Sequence, residues 1–306
     1  MKIFVTGVNG QLGYAAALEL LQRGHQVILS GSKPVYTGKP GPLNQLPYEV
    51  LDITNEEKVE EVLTRVHPEV LLHCAAWTAV DAAEEPENQE KVWAVNARAT
   101  EYLAKTCAQI GAKMVYISTD YVFDGQGTVP WQPDDQNYHP LNVYGASKLA
   151  GEQAVRANLD RFYIVRIAWV FGPNGNNFVK TMLKLRKTHS QLRVVCDQVG
   201  TPTYTPDVAR VLAELLESEN YGYYHVTNSG GYISWYDFAC EIFRQAGYGV
   251  SVLPVTTAEY GISKAQRPFN SRLDTSKLSA CGIEPMPTWQ DALSRYIALW
   301  KNEEKE

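Results

Sequence analysis

The sequence predicts an α/β fold, a doubly wound parallel sheet with a smaller α/β domain beside it. Three observations carry that prediction. Short apolar runs alternate with helical runs from Lys2 to about Val170. A GxxGxxG turn, Gly7-Val8-Asn9-Gly10-Gln11-Leu12-Gly13, stands directly between the first such run and the first helix. Beyond Gly172 the strand–helix–strand rhythm gives way to shorter mixed elements. The expected division is a dinucleotide-binding domain over 1–173 and 203–229 and a substrate-binding domain over 174–202 and 230–306.

The elements follow in order. Lys2 to Thr6 reads as a buried strand and Tyr14 to Arg23 as a helix closed by Gly24. Between them Gly7 permits a tight turn, Gly10 lets backbone N–H groups approach a pyrophosphate, and Gly13 lets helix and strand pack closely. Asn9, Gln11 and Leu12 complete this candidate cofactor loop. The second strand, Gln26 to Ser30, is followed by Gly31-Ser32-Lys33 in place of the carboxylate that would hold a ribose 2′-hydroxyl. Hydroxyls and a cation at Ser30, Ser32 and Lys33 accommodate a 2′-phosphate, which predicts NADPH, with NADH as the second option. Pro34 to Pro47 reads as an irregular loop, and Tyr48 to Leu51 as a third strand ending at Asp52-Ile53. Asp52 either accepts from an adenine amino group or caps the helix Glu56 to Val66, whose start lies nearer Thr54 and Asn55.

Val70 to Cys74 is the fourth strand, and the small residues Ala75-Ala76, with Trp77, allow a ribose and nicotinamide to approach the backbone. Thr78-Ala79-Val80-Asp81 continue toward a substrate pocket. A helix from Glu87 to Ile110 carries Asn96, a polar residue in an apolar setting that needs partners, the loop after strand four being the candidate. His73, inside the strand, reads as a satisfied core residue. The fifth strand, Lys113 to Ser118, delivers Ser118, Thr119 and Asp120 to the carboxyl edge of the sheet, where parallel sheets bind their ligands. Past Pro140 the chain reads Leu141 to Glu152, with Tyr144 and Lys148 one helical turn apart on one face. A phenol ionises near pH 10, so it serves acid–base chemistry at neutral pH only beside a fixed cation. The pair is common on helix surfaces; Thr119 and the glycine turn make it a candidate catalytic group. Strand six is expected over Phe162 to Val170. Later elements are helices over Phe178 to Lys187, Asp207 to Ser218, Ser234 to Gln245 and Thr288 to Lys301, and strands over Leu192 to Cys196, Tyr223 to Thr227 and Val250 to Pro254.

The composition excludes several classes. A formal charge of −6 without a Lys/Arg cluster leaves no footprint for a nucleic-acid backbone. Five cysteines, far apart and without CxxC spacing, fit reduced thiols and a cytoplasmic setting better than a disulfide framework or zinc site. No apolar stretch is long enough to span a bilayer, and the short run after Lys2 breaks at Gly7, unlike a signal peptide.

With Thr119, Tyr144 and Lys148 in line after the glycine turn, the chain resembles the extended short-chain dehydrogenase/reductase superfamily, and within it the dTDP-4-dehydrorhamnose reductase family. The blocks that match are Gly10 to Gly13, Thr78 to Asp81, Ser118 to Gly125, Leu141 to Glu152, Trp169 to Phe171, Gly175 to Phe178, Asp197-Gln198 and Arg267 to Leu273. The resemblance implies a Rossmann domain with a smaller substrate domain and a dTDP-sugar substrate. The implied reaction is NADPH-dependent reduction of the 4-keto group of dTDP-4-dehydro-6-deoxy-L-mannose to dTDP-L-rhamnose. Residue by residue, it implies that Tyr144 donates a proton to the keto oxygen, that Thr119 orients the carbonyl beside Asp120, and that Lys148 binds the nicotinamide ribose and lowers the Tyr144 pKa. Trp169 would stack on or wall in the sugar or nicotinamide. Thr78, Val80, Asn177 and Arg267 would line the sugar-nucleotide site, Arg267 at the pyrophosphate.

Some family members dimerise through a magnesium ion held by glutamates, one of them directly after the aromatic residue that follows the glycine turn. Here Ala15 follows Tyr14, so a monomer or weak homodimer without a metal bridge is expected, and no metal site. Three other functions compete, the first being reduction of the 4-keto group of another sugar nucleotide by the same residues. Sugar-nucleotide dehydratases carry Asp then Glu after the Thr, whereas here Asp120 precedes Tyr121. A non-catalytic NADP-binding relative serves as a regulatory subunit of methionine adenosyltransferase; activity of the chain alone separates that reading from a reductase.

Overall fold

The computed structural model describes residues 1–303. The chain starts β1 (Lys2–Thr6), α1 (Gln11–Gln22), β2 (Gln26–Gly31), β3 (Tyr48–Val50), α2 (Glu56–Val66) and β4 (Val70–His73). Then come α3 (Val80–Ala83), α4 (Pro86–Trp93), α5 (Ala99–Ile110), β5 (Lys113–Thr119), α6 (Val143–Asn158) and β6 (Phe162–Ile167). The second half adds β7 (Val170–Phe171), α7 (Phe178–Leu185), β8 (Gln191–Val195), β9 (Val199–Gly200), β10 (Thr203–Tyr204), α8 (Thr205–Glu217) and β11 (Gly222–His225). It closes with β12 (Ile233–Ser234), α9 (Trp235–Ala246), β13 (Ser251–Val255), α10 (Thr257–Tyr260), β14 (Asn270–Ser271), α11 (Ser276–Ala280) and α12 (Trp289–Glu303).

Among the described residues, seven parallel strands form one sheet in the order β11-β6-β5-β4-β1-β2-β3. The order reverses between β1 and β4, so the crevice outside their carboxyl ends is the topological switch point, the usual ligand position in such sheets. Alternation along the strands divides the core. Ile3 and Val5 of β1 face α1 and α8, together with Val27, Leu29, Val70, Leu72 and Val165. Phe4, between them, faces the other way with Ile28, Leu71 and Met114, toward α2, α5 and α6. A third core, built on Phe171, Leu183, Phe238, Phe243, Leu293 and Trp300, packs the second half of the chain. There β13 pairs with β8, and β9 is held between β12 and β14.

Two elements differ from the sequence reading, each through a contact distant in sequence. The apolar run Phe162 to Val170 is two strands: Trp169 takes φ 50°, and β7 leaves the large sheet to pair with β10. The helix expected over Glu87 to Ile110 is interrupted by a π turn, Ala94–Arg98, which carries Asn96. Helix α6 begins at Val143, because the Asn142 side chain caps it by accepting from the Gly145 N–H, so Tyr144 lies in its first turn.

Candidate active site

The glycine turn is built by steric necessity at two positions. Gly7 has φ 68°, and a Cβ there would lie 2.5 Å from the Ala75 nitrogen; a Cβ on Gly13 would press into the Gly7 carbonyl. Gly10 is the N-cap of α1 with no side-chain cap, leaving first-turn N–H groups of the helix open. Asn174 holds this turn from the other half of the chain, its amide donating to the Asn9 and Gly10 carbonyls at 2.9 and 3.1 Å.

From this turn a cleft of about 1260 Å³ runs along the carboxyl ends of the strands. Its wall includes Gly7, Asn9, Gly10, Gln11, Leu12, Gly13, Ser30, Ser32, Lys33, Asp52, Ile53, Ala75 and Ala76. Toward the other end lie Thr78, Val80, Thr119, Asp120, Tyr144, Lys148, Trp169 and Arg267. The fit to a dinucleotide can be tested on atoms of the protein alone. The hydroxyls of Ser30 and Ser118 are buried with no hydrogen-bond partner, both beside the cleft, and the α1 N-terminus is uncapped. Buried polar groups without partners are rare and costly, and a polar ligand along this wall would supply them. Asp52 accepts from the Thr54 N–H and hydroxyl, while Asn55 caps α2.

Three candidate residues lie outside the cleft wall. Asn96 is buried with its amide fully engaged: it accepts from the Trp77 N–H at 2.8 Å and donates to the Trp77 carbonyl and to the Ser147 hydroxyl. It ties the loop after β4 to α6 and has no donor left for a cofactor. The Trp77 indole N–H is spent on the Ala79 carbonyl. Asn177 caps α7, accepting from the Lys180 N–H and donating to the Gly172 carbonyl and Gln11, so the capping of α7 consumes the amide expected at the sugar. Trp169 does face the cleft, but its ring is stacked on Trp235, centroids 3.7 Å apart, and a Cβ on Gly200 would lie 2.9 Å from the indole. Trp169 and Trp235 form a wall together.

Thr119 and Lys148 are buried in the cleft wall, and Tyr144 is half-buried beside them. The Thr119 hydroxyl donates to Asp120 at 3.0 Å and accepts from the Tyr121 N–H. Tyr121 stands edge-on to Tyr144, ring centroids 5.7 Å apart. Burial pushes the Tyr144 phenol well above its ordinary range; the Thr119 hydroxyl pulls it down and the Asp120 charge adds to the rise. Burial also raises the Asp120 carboxyl to about 6, and one of its oxygens has no partner. The Lys148 ammonium donates to the Ile117 carbonyl at 2.7 Å and sits 4.0 Å above the Tyr116 ring. Burial lowers its pKa to about 7, against an opposing pull from Glu152 one turn further along α6.

Glu152 in turn holds Arg166 of β6 through two charge-assisted bonds, 2.9 and 2.7 Å, with both side chains almost completely buried. The sequence offered its signal, since Tyr144, Lys148 and Glu152 repeat at four-residue intervals on one helix face. Other residues brought to the cleft without such a signal are Cys74, Lys91, Tyr121 and Trp235. His73 is a core residue, bonded to Thr6 and Thr100, and burial drops its pKa to about 3.

Fold and site together define a Rossmann-type protein of the extended short-chain dehydrogenase/reductase class. Within that class the chain belongs to the RmlD family: the model of the RmlD substrate binding domain matches residues 1–302. It is 39% identical over 296 residues to the spore coat polysaccharide biosynthesis protein SpsK of Bacillus subtilis, covering 97% of this chain and 96% of that protein. It is 38% identical over 311 residues to the dTDP-4-dehydrorhamnose reductase of Aggregatibacter actinomycetemcomitans, covering 97% and 98%. The crystal structure of the dTDP-4-dehydrorhamnose reductase of Bacillus anthracis in complex with NADP superposes with a TM-score of 0.87 at 39% identity, over 97% of this chain and 99% of that one.

Proposed function

We infer that this protein is an NADPH-dependent reductase that converts dTDP-4-dehydro-6-deoxy-L-mannose (dTDP-4-dehydro-β-L-rhamnose) to dTDP-L-rhamnose, the last step of dTDP-rhamnose biosynthesis. The observation that carries the reading is that Thr119, Tyr144 and Lys148 lie in the same cleft as the uncapped α1 N-terminus, within a chain of the RmlD family. NADPH would lie along Gly7 to Gly13, with its 2′-phosphate near Ser30, Ser32 and Lys33 and its nicotinamide end near Ala75, Ala76 and Lys148. Bound there, the nicotinamide supplies a hydride. The residues of the chain do the rest. Tyr144, kept protonated by burial, gives its proton to the keto oxygen at carbon 4. The Thr119 hydroxyl would turn its one hydrogen from Asp120 to that carbonyl and so orient it, and the Trp169–Trp235 stack walls the sugar in. Thr78, Val80 and Arg267 line the sugar nucleotide, the guanidinium facing its diphosphate.

In this reading residues 1–173 and 203–229 carry the dinucleotide, and 174–202 and 230–306 the sugar nucleotide. The protein works in the cytoplasm as a monomer or weak homodimer without a metal bridge.

The test is the loss of reduced-nicotinamide absorbance by the purified chain with the 4-keto sugar nucleotide, and identification of the product as dTDP-L-rhamnose. Tyr144→Phe is expected to lower kcat by roughly 10² to 10⁴ while NADPH affinity stays within about twofold. Normal turnover in that variant overturns the assignment of the proton donor.

A further inference from the structure

We propose that Asp81 is the positioning residue for Arg267: it clasps one edge of the guanidinium and pins the strap that carries it, so that the opposite edge is presented to the diphosphate of the substrate. The inference rests on the reading of Arg267 as the diphosphate partner.

Arg267 does not reach the cleft from a regular element. It lies on an irregular strap between α10 and β14, and an arginine on such a strap would lose its orientation without a second anchor. Asp81, in the first turn of α3, supplies that anchor. One carboxylate oxygen accepts from Arg267 Nη2 at 2.6 Å; the other accepts from Nη1 at 3.1 Å and from the Lys264 and Ala265 backbone N–H groups, each at 3.1 Å. One side chain thus fixes both the guanidinium and the backbone two and three residues before it. One neighbouring contact holds the same strap, the Asn142 amide donating to the Gln266 carbonyl at 2.8 Å, whereas the Lys264–Glu85 pair is exposed and adds little. The Asn142 contact comes from the cap of the helix that bears Tyr144, so the strap is registered against the catalytic helix.

A guanidinium has five N–H groups in a fixed plane. Asp81 takes one from each terminal nitrogen, and Tyr121 also bonds the guanidinium; Nε–H and the terminal N–H beside it form an edge suited to a phosphate in a fork. Asp81 therefore has two opposed effects on an anionic ligand. Its charge partly cancels that of Arg267, and its geometry holds the fork in place. The carboxylate side chain is 45% exposed, so solvent screens the first effect, while the second does not depend on screening. The orienting effect wins, and neutralising Asp81 weakens binding of a diphosphate even though it makes the site more positive.

The experiment compares binding of dTDP and of thymidine, by titration calorimetry or ligand-observed NMR, to the wild-type chain and to Asp81→Asn, Arg267→Ala and Glu85→Gln, with NADPH affinity measured on the same samples. Asp81→Asn is expected to reduce the preference for dTDP over thymidine tenfold or more and leave NADPH affinity unchanged. Arg267→Ala should do the same and Glu85→Gln should not. Asp81→Glu, which keeps the charge but displaces the carboxylate, should give a smaller loss in the same direction. Unchanged or tighter dTDP binding in Asp81→Asn, with the loss confined to Arg267→Ala, overturns the positioning role. An undiminished preference in Arg267→Ala overturns the reading of Arg267, and the clasp with it.

Discussion

Replacing Lys148 by Met is expected to remove activity and make the cofactor-free protein more stable at neutral pH. The magnitude follows from the pKa of the buried ammonium, about 7 in place of 10.5. Each unit is worth about 1.4 kcal/mol, so near pH 7 the folded state pays roughly 4 kcal/mol for the charge. That figure is already net of what the Ile117 carbonyl and the Tyr116 ring return to the ammonium, so an uncharged side chain of similar size gains up to roughly 4 kcal/mol there. The sign with pH is distinctive. A lysine whose folded pKa is depressed binds fewer protons folded than unfolded between pH 7 and 10.5, so its contribution to stability grows as pH rises across that window. Urea unfolding of wild type and Lys148→Met at several pH values from 6 to 10 measures this. The advantage of the variant should be greatest near pH 7 and shrink toward pH 10. A variant less stable than wild type at pH 7, with a gap that does not change with pH, would refute the reasoning.

Three further outcomes bear on other parts of the molecule. Glu152→Ala leaves Arg166 buried and charged without its carboxylate and should cost roughly 3 to 5 kcal/mol in urea unfolding, whereas Glu152→Leu combined with Arg166→Met should cost much less. Lys33→Glu places a like charge where the 2′-phosphate is proposed to lie; kcat/KM with NADPH should fall about tenfold or more while that with NADH stays nearly constant, as read from cofactor oxidation rates. Asp120→Asn should stabilise the protein above pH 6 and lose that advantage near pH 4, because an Asp held at about 6 in the fold is destabilising wherever its unfolded counterpart is ionised. Thermal melting at the two pH values decides it.

The large sheet was legible because its signals are local. Alternation put Ile3 and Val5 on one face and Phe4 on the other, and the glycine turn fixed where the first helix had to begin. The cleft was legible for the same reason, since carboxyl ends of parallel strands converge wherever the order reverses. What escaped the sequence depends on partners far along the chain. Nothing within Phe162 to Val170 marks a break, because it is pairing with β10 and stacking with Trp235 that turn the strand at Trp169. Asn177 reads equally well as a ligand or a cap, and only the packing of α7 shows the amide spent on the Lys180 N–H and the Gly172 carbonyl. Asn96 announced itself as a polar residue needing partners, yet the π turn that aims it at Trp77 and Ser147 has no sequence mark of its own.

The resting electrostatics of the site also select a direction of chemistry. A group that abstracts a proton from an alcohol must start ionised, and a group that delivers one to a ketone must start protonated. Tyr144 is held protonated by burial, and its nearest carboxylate, Asp120, strengthens that hold when ionised. The cation on the same helix face donates to the Ile117 carbonyl, and burial lowers its pKa to about 7. Ionising the phenol is therefore costly until charge develops on a substrate oxygen that can accept the proton. Such a site is prepared for reduction of a carbonyl and poorly prepared for the reverse reaction. The pH dependence of kcat in the reductive direction should accordingly show no loss up to the alkaline range where an exposed phenol would ionise. A decline in kcat beginning near pH 8 in a variant with Asp120 replaced by Asn, absent from the wild-type protein, would show instead that the carboxylate and not burial holds the proton on Tyr144.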